Sequence, residues 1–362
     1  MRRTPFLVNV QACRALAALS VVVGHSLHDY DTIALAPATT DSFVNWGAGV
    51  DVFFVISGFI MIYVAGDEFA TPGAPRRFFT RRLIRVAPLY WILTTALILG
   101  SLILSSLLNM PVGGLRHILF SYLFIPDWRP DMSAVRPVMA LGWTLNYEML
   151  FYLVFAITLI LPLRIGIAAI AGFFVFAGGL HVALDISQTQ LGFWSDPISL
   201  EFVLGLGVGW ACRAGWRIGP LTAIALAVAG TVLVGCNFIT FAAPEAARFL
   251  RFGAPSAMLV CAAALGPSLP SGRAARAATL LGDASYALYL SHPFVIRPMR
   301  EAFRLLGGSE WSCLLFPIIA ASAAIAFALI LHEQVEAPLN IALKGLCKAT
   351  VSKKARRGTA TA

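Results

Sequence analysis

The sequence predicts an all-α, polytopic membrane protein, with about ten transmembrane helices around a polar intramembrane cavity and both termini cytosolic. Three observations carry this. Of 362 residues, 59% are hydrophobic and 12% charged, against about 25% charged in an ordinary soluble domain. Too little polar material is left to cover a soluble surface, so lipid must solvate the outside. The apolar residues also fall into successive runs near the roughly 20 residues that a membrane-crossing helix needs. Finally, the basic residues gather at alternate ends of those runs, as they do in cytosolic loops.

The net charge of +9 would suggest nucleic acid in a soluble protein. Here positive-inside topology accounts for it, and the bilayer, not nucleic acid, is the expected partner. The six cysteines are scattered without a CxxC pair, so neither a zinc site nor a disulfide framework is expected. Residues 1–340 read as one transmembrane domain and 341–362 as a basic cytosolic tail, with no internal repeat.

The first span, 9–28, follows Arg2 and Arg3 and reads as a signal anchor, because the chain stays hydrophobic long after it. It carries Arg14 and His25. Eleven residues bring the helix back to within about 20° of whole turns, so both side chains share one face, about 16 Å apart along the axis. Ionisable groups in a span cost a few kcal/mol each, and such a stripe is expected to line a cavity. The plainer readings are a snorkelling anchor for Arg14 and an interfacial histidine for His25, beside His28 and Asp29.

The second span, 48–65, opens with Asp51 at its outer end, expected level with His25, where a carboxylate would fix the imidazole tautomer. Ser57 and Gly58 suit close helix packing. The third span, 86–108, is entered through an arginine-rich stretch. Arg76 and Arg77 need only the positive-inside rule, but Arg82 and Arg85 are i, i+3 on one helix face, and paired guanidinium groups suit phosphate. The apolar stretch 115–125 is too short to cross and reads as re-entrant or interfacial.

The fourth span, 142–161, holds Glu148 about one turn in, where a carboxylate must be paired, protonated or facing water. Tyr152 follows one turn later on the same face. Further spans are expected at 165–184, 197–212, 218–239 and 249–266. In the ninth, 281–297, Ser285, Tyr289 and His292 share a face that lines a cavity or forms a polar seam between helices. The tenth is 312–332, and His332, Glu333 and Glu336 just beyond it are expected in the headgroup zone in a structural role.

Five motifs, in order, resemble the acyltransferase-3 family of integral membrane acyltransferases. Arg14 and His25 are similar to its first-helix signature. The run from Gly49 to Phe59, Gly-Val-Asp-Val-Phe-Phe-Val-Ile-Ser-Gly-Phe, resembles the second. Arg82-Leu83-Ile84-Arg85 is similar to its Arg-x-x-Arg entry to the third helix. Trp143-Thr144-Leu145-Asn146-Tyr147-Glu148 resembles its Trp-Ser-Leu-x-x-Glu element, with Thr144 for the commoner serine. Ser285 to His292 is similar to its late Ser-Tyr-x-x-Tyr-Leu-x-His element. Within the family the chain most resembles the exopolysaccharide-modifying branch.

The resemblance implies a bacterial inner-membrane O-acyltransferase that carries an acyl group, acetyl by default, from cytosolic acyl-CoA to a hydroxyl of an exported polysaccharide or its lipid-linked precursor, beside the polysaccharide-synthesis machinery. The donor is a substrate, and no metal is expected. On this reading Arg82, Arg85 and Arg14 hold the donor, and His25 is the general base with Asp51 or Glu148 orienting it. Tyr152, Tyr289 and His292 line the substrate path. Intramembrane charges also mark transporters, so a flippase for a lipid-linked sugar or acyl donor is the alternative. A non-catalytic subunit of a secretion machine would need no paired arginines.

Overall fold

The computed structural model describes residues 7–33, 44–103, 112–184, 186, 190–235, 248–305 and 310–358. Arg2, Arg3 and Cys236 lie outside them. Among the described residues every regular element is helical, and the β-type pairing is an isolated bridge between Trp128 and Val135. Six helical segments are long and apolar enough to cross a membrane: Val8–Ile33, Trp46–Glu68, Ala74–Ile103, Ala140–Thr158, Leu163–Leu184 and Leu315–Cys347. The expected spans at 218–239 and 249–266 are shorter apolar helices, Pro220–Gly235 and Phe249–Leu265. Large apolar side chains such as Ile103, Phe176, Leu221 and Ile318 point outward, as lipid-facing residues do.

Helix α1 (Leu7–Ile33) runs past its expected end, so Asp29 to Ile33 are also helical. The polar residues of its outer turns find partners on a parallel neighbour, as described below. Helix α2 (Gly49–Ala65) returns against α1: Gly24 meets Trp46, and Gly49 meets Ala17 and Ser20. Helix α3 (Ala74–Ile103) starts a full twelve residues before the expected 86, with Pro75 in its first turn, and so carries the whole arginine run on a helix. The short helix α4 (Leu115–Tyr122) exposes Leu115 and Leu119 and buries His117 and Ser121, an interfacial arrangement. It is tied to α3 by the Tyr90 hydroxyl, which donates to the Ser121 carbonyl at 3.1 Å, and by the Trp91 indole, which donates to Tyr122 at 2.9 Å.

Helices α5 (Trp143–Thr158), α6 (Leu163–Leu184), the short α7 (Gln190–Ser195) and α8 (Leu200–Arg213) follow. Helix α8 runs parallel to α2 at backbone contact. A Cβ on Gly58 would sit 2.0 Å from the Phe202 carbonyl oxygen, and one on Gly205 would sit 2.0 Å from that of Val55. Only glycine permits this approach, which is how membrane helices gain packing without a hydrophobic drive between them. Helices α9 (Pro220–Gly235) and α10 (Ala254–Leu265) pack together beside this pair; a π-helical turn, Phe249–Gly253, leads into α10.

The expected span 281–297 belongs to three consecutive helices: α11 (Arg273–Asp283), α12 (Ser285–Ser291) and α13 (Pro293–Leu305). Hydrogen bonds of helical register bridge both one-residue breaks, from Leu288 N to Ala284 O at 2.9 Å and from Ile296 N to His292 O at 2.9 Å. The three act as one rod beside α1. Helix α14 (Glu310–Leu331) closes the bundle through a row of buried small residues, Ala320, Ala324 and Ala328, against Ala18, Val22 and Leu288. A π-helical turn, His332–Glu336, joins it to α15 (Ala337–Gly358).

Candidate functional site

The rod and α1 run side by side in the same direction, and their polar residues meet in sequence. Gln11 donates from its amide to Asp283. The ring of His25 lies 5.0 Å from that of His292. Asp29 accepts from Arg300 at 2.9 Å. The stripe expected on α1 therefore faces a matching stripe on the rod.

Along that seam, α1, α2, α3, α5 and the rod enclose a cavity of about 160 Å³. Arg14, Arg82, Arg85, Glu148, Tyr152 and Tyr289 all line it, together with Ser57, Ser285 and Tyr286. Six of the nine residues singled out by sequence thus share one space. Arg85 is neutralised from behind by Glu336, a buried carboxylate that also accepts from His332 Nδ1 at 2.8 Å. Arg14 donates at 3.1 Å to Gln11 Oε1, a neutral acceptor. Arg82 lies over the Phe78 ring, 5.5 Å from its centroid, and its Nε is buried without a hydrogen-bond partner. Glu148 accepts from two neutral hydroxyls, Ser57 at 3.2 Å and Tyr152. With Arg85 and Glu336 cancelling, two guanidinium groups face one carboxylate. The cavity carries an excess positive charge suited to an anionic guest.

Tyr289 closes the cavity toward the histidine pair. Its hydroxyl accepts from Thr144 at 3.2 Å and donates to the Leu141 carbonyl at 3.2 Å, and its ring lies 6.4 Å from that of His292. His292 is fully buried. Its Nδ1 is 3.2 Å from the Leu288 carbonyl, an oxygen that can only accept, so Nδ1 carries the hydrogen. Its Nε2 is then an acceptor, buried and without a partner. Pro293 contributes to this arrangement: it has no N–H, so the Tyr289 carbonyl is free of the helical ladder and is also taken by the His292 side chain. His25 itself is exposed at this end of the seam.

Asp51 departs from its expected place. It does not reach His25 but is fully buried against Arg248, which donates to it at 3.1 Å, with Glu201 beside it. The reason is an offset between helices. Gly49 packs at the level of Ala17 and Ser20, so Asp51, further down an antiparallel helix, sits about two turns below His25. Helix α1 simply extends beyond the start of α2. Ser57, read from sequence as a packing residue, instead faces the cavity, while Gly58 makes the helix contact.

Three partners were passed over and a fourth was misplaced. Glu201 and Arg248 complete the Asp51 cluster, Asp283 accepts from the Gln11 amide, and Glu336 pairs with Arg85. Glu201 had a signal, being a carboxylate in the first turn of an apolar helix. Glu336 was noticed but placed in the headgroup zone; it is 2% exposed inside the bundle.

Comparison with known proteins adds a family. Residues 7–333 match the family described as an acyltransferase domain, acyltransferase-3. The exopolysaccharide production protein ExoZ of Rhizobium meliloti (strain 1021) is 36% identical over 281 residues, which cover 75% of this chain and 83% of that protein. The acyltransferase MdmB of Streptomyces mycarofaciens is 31% identical over 330 residues, 80% of this chain and 79% of its own. No solved structure matches the chain significantly.

Proposed function

As a member of the acyltransferase-3 family the chain is a membrane acyltransferase, and we propose that it transfers an acyl group, acetyl by default, from cytosolic acyl-CoA to a hydroxyl of an exported polysaccharide or its lipid-linked precursor. The observation that carries the reading is the convergence of Arg14, Arg82 and Arg85 with Glu148 in one cavity whose far wall, Tyr289, borders the His25–His292 pair. A cavity of about 160 Å³ is too small for a nucleotide but suits a thin pantetheine arm. The phosphates then stay at the mouth with Arg82 and Arg14, and the arm carries the thioester toward Tyr289.

In the transfer step His25 takes the proton from the attacking sugar hydroxyl. The new C–O ester bond forms as the C–S bond breaks, and the leaving CoA thiolate takes up the proton. His292 lies next to His25 with an acceptor nitrogen, a position that would orient the base in place of the expected Asp51. Glu148 balances Arg14 and Arg82, so that the donor is held without being trapped.

The chain is then a multi-pass protein of the bacterial inner membrane with about ten crossings, counting α8, α9, α10 and the rod as crossings despite their length or breaks. Both termini lie in the cytosol. The name of the Rhizobium meliloti relative supports an exopolysaccharide acceptor and a place beside polysaccharide synthesis. The test is incubation of purified protein with labelled acetyl-CoA and cell-surface polysaccharide. Base-labile labelled ester is expected; donor binding with no ester formed on any carbohydrate would refute the reading.

A further inference from the structure

A second cavity, of about 420 Å³, borders a neighbouring face of α5. Its size is within the range of about 300–1,000 Å³ found for small-molecule sites. The first two turns of α5 are the partition between the two spaces. Trp143 and Tyr147, four residues apart, face the second cavity, while Thr144 and Glu148, each one residue later, face the first. One residue turns the helix by about 100°, so a single short motif supplies both walls.

The second cavity has an aromatic lining and two arginines, of which, among the described residues, Arg248 is paired and Arg136 is not. Tyr147 stacks on Phe193 with centroids 4.3 Å apart, and Trp143 meets Tyr147 edge-on at 5.9 Å. Trp128 completes the aromatic wall. The Arg136 guanidinium lies 4.5 Å over the Trp143 ring. Among the described residues no carboxylate engages it. Arg248, also on the wall, shares its charge with Asp51 at 3.1 Å. The carboxylate that lines the cavity, Asp196, accepts from the Ile198 amide at 2.8 Å.

Flat aromatic faces accept the C–H face of a pyranose, and a half-buried guanidinium without a carboxylate selects an anion through paired hydrogen bonds. We propose that this second cavity is the acceptor site and holds a pyranose ring that carries or adjoins an anionic group. The proposal rests on the acyl-CoA-to-carbohydrate reading above. The anion has two possible sources, the carboxylate of a uronic acid within a glycan and the diphosphate of a lipid-linked sugar.

The test uses the full-length purified protein with acetyl-CoA and three acceptors: a glucuronate-containing oligosaccharide, a polyprenyl-diphosphate glucose and a neutral gluco-oligosaccharide. Arg136→Gln is expected to raise KM at least tenfold for one of the two anionic acceptors, leaving KM for acetyl-CoA and for the neutral acceptor unchanged. Whichever anionic acceptor responds identifies the source. Arg136→Lys, which keeps the charge, decides the matter if Arg136→Gln fails to fold, and is expected to fall between the two. Tryptophan fluorescence, followed during titration with each acceptor in the absence of donor, should show the same order of affinities. Acyl transfer that proceeds with KM for both anionic acceptors within twofold of wild type in these variants overturns the acceptor site alone. Absence of transfer from acetyl-CoA in the wild type overturns the parent reading, and fluorescence titration still reports on the cavity.

Discussion

The imidazole of His25 on α1 lies 5.0 Å from that of His292 on the neighbouring rod, and the two helices run parallel on either side of this contact. Below it on the same seam are Arg14 and Gln11 against Asp283, and above it is Asp29 against Arg300. The histidine pair is the point where this polar seam meets the far wall of the cavity, through Tyr289.

His25→Ala should reduce acyl transfer by about 10²–10⁴-fold, the usual contribution of a general base, with acyl-CoA affinity within twofold of wild type. His292→Ala should reduce kcat less and change the pH profile of kcat, because the base is then no longer oriented. Steady-state kinetics and equilibrium CoA binding separate the two. Full activity in His25→Ala would remove the base, and an unchanged pH profile in a less active His292→Ala would leave His292 with only a packing role.

How much of this was legible in sequence depended on whether a residue's meaning was local. Arg14 and Glu148 were readable because a charge in an apolar run is costly wherever it packs, and Arg82 because helical periodicity puts it on one face with Arg85. The relative height of two helices is not a local property. Asp51 was therefore placed level with His25, when α1 runs on to Ile33 and lifts His25 about two turns above it. The Arg85–Glu336 pair joins residues 251 positions apart, and nothing in either segment names the other. The ninth span reads in sequence as one unbroken helix; it is interrupted at Ala284 and His292, yet the helical ladder resumes at once, from Val295 and Ile296 to His292. The count of crossings is less legible than the helices themselves: α8 has 14 residues and spans only about 21 Å at 1.5 Å per residue.

Arg82 and Arg85 should part company in mutation, although they are one turn apart. Arg82→Ala removes a cation that, among the described residues, has no ion pair of its own and shares Glu148 with Arg14, and CoA affinity should drop about tenfold with the protein's thermal stability nearly unchanged. Arg85→Ala leaves the buried Glu336 with His332 alone and should destabilise the bundle by up to about 3–5 kcal/mol, the usual result of breaking a buried pair from one side. Arg85→Met with Glu336→Leu should recover most of that stability. The measurements are isothermal CoA titration and melting in detergent; an Arg82→Ala with normal CoA binding would contradict the first statement, and an Arg85→Ala as stable as wild type the second.

Glu148→Gln tests the charge balance of the cavity. The amide keeps an acceptor for Ser57 and Tyr152 but removes the carboxylate that offsets Arg14 and Arg82. CoA should bind several-fold more tightly while turnover falls, because the donor and its product are both held too well. Pre-steady-state product release should slow accordingly. Weaker CoA binding in this variant would show that Glu148 itself contacts the donor in a neutral or donating form.

The contact between α2 and α8 makes the strongest structural prediction, because it depends on backbone and not on side chains. At Gly58 and Gly205 an added Cβ would lie 2.0 Å from a carbonyl oxygen, and a carbonyl cannot swing aside as a side-chain tip does. Gly205→Ala therefore forces the two helices apart, at a cost at or above the roughly 1–3 kcal/mol of ordinary overpacking. Separation would move Asp51 and Ser57 on α2 relative to Glu201 on α8 and Glu148 on α5, loosening the cavity wall and the buried acid cluster together. Gly207, on the same helix but with no atom within 4 Å of the position a Cβ would take, is the control, and Gly207→Ala should melt like wild type. A Gly205→Ala protein as stable as Gly207→Ala would mean that the close approach is not what holds α2 in place.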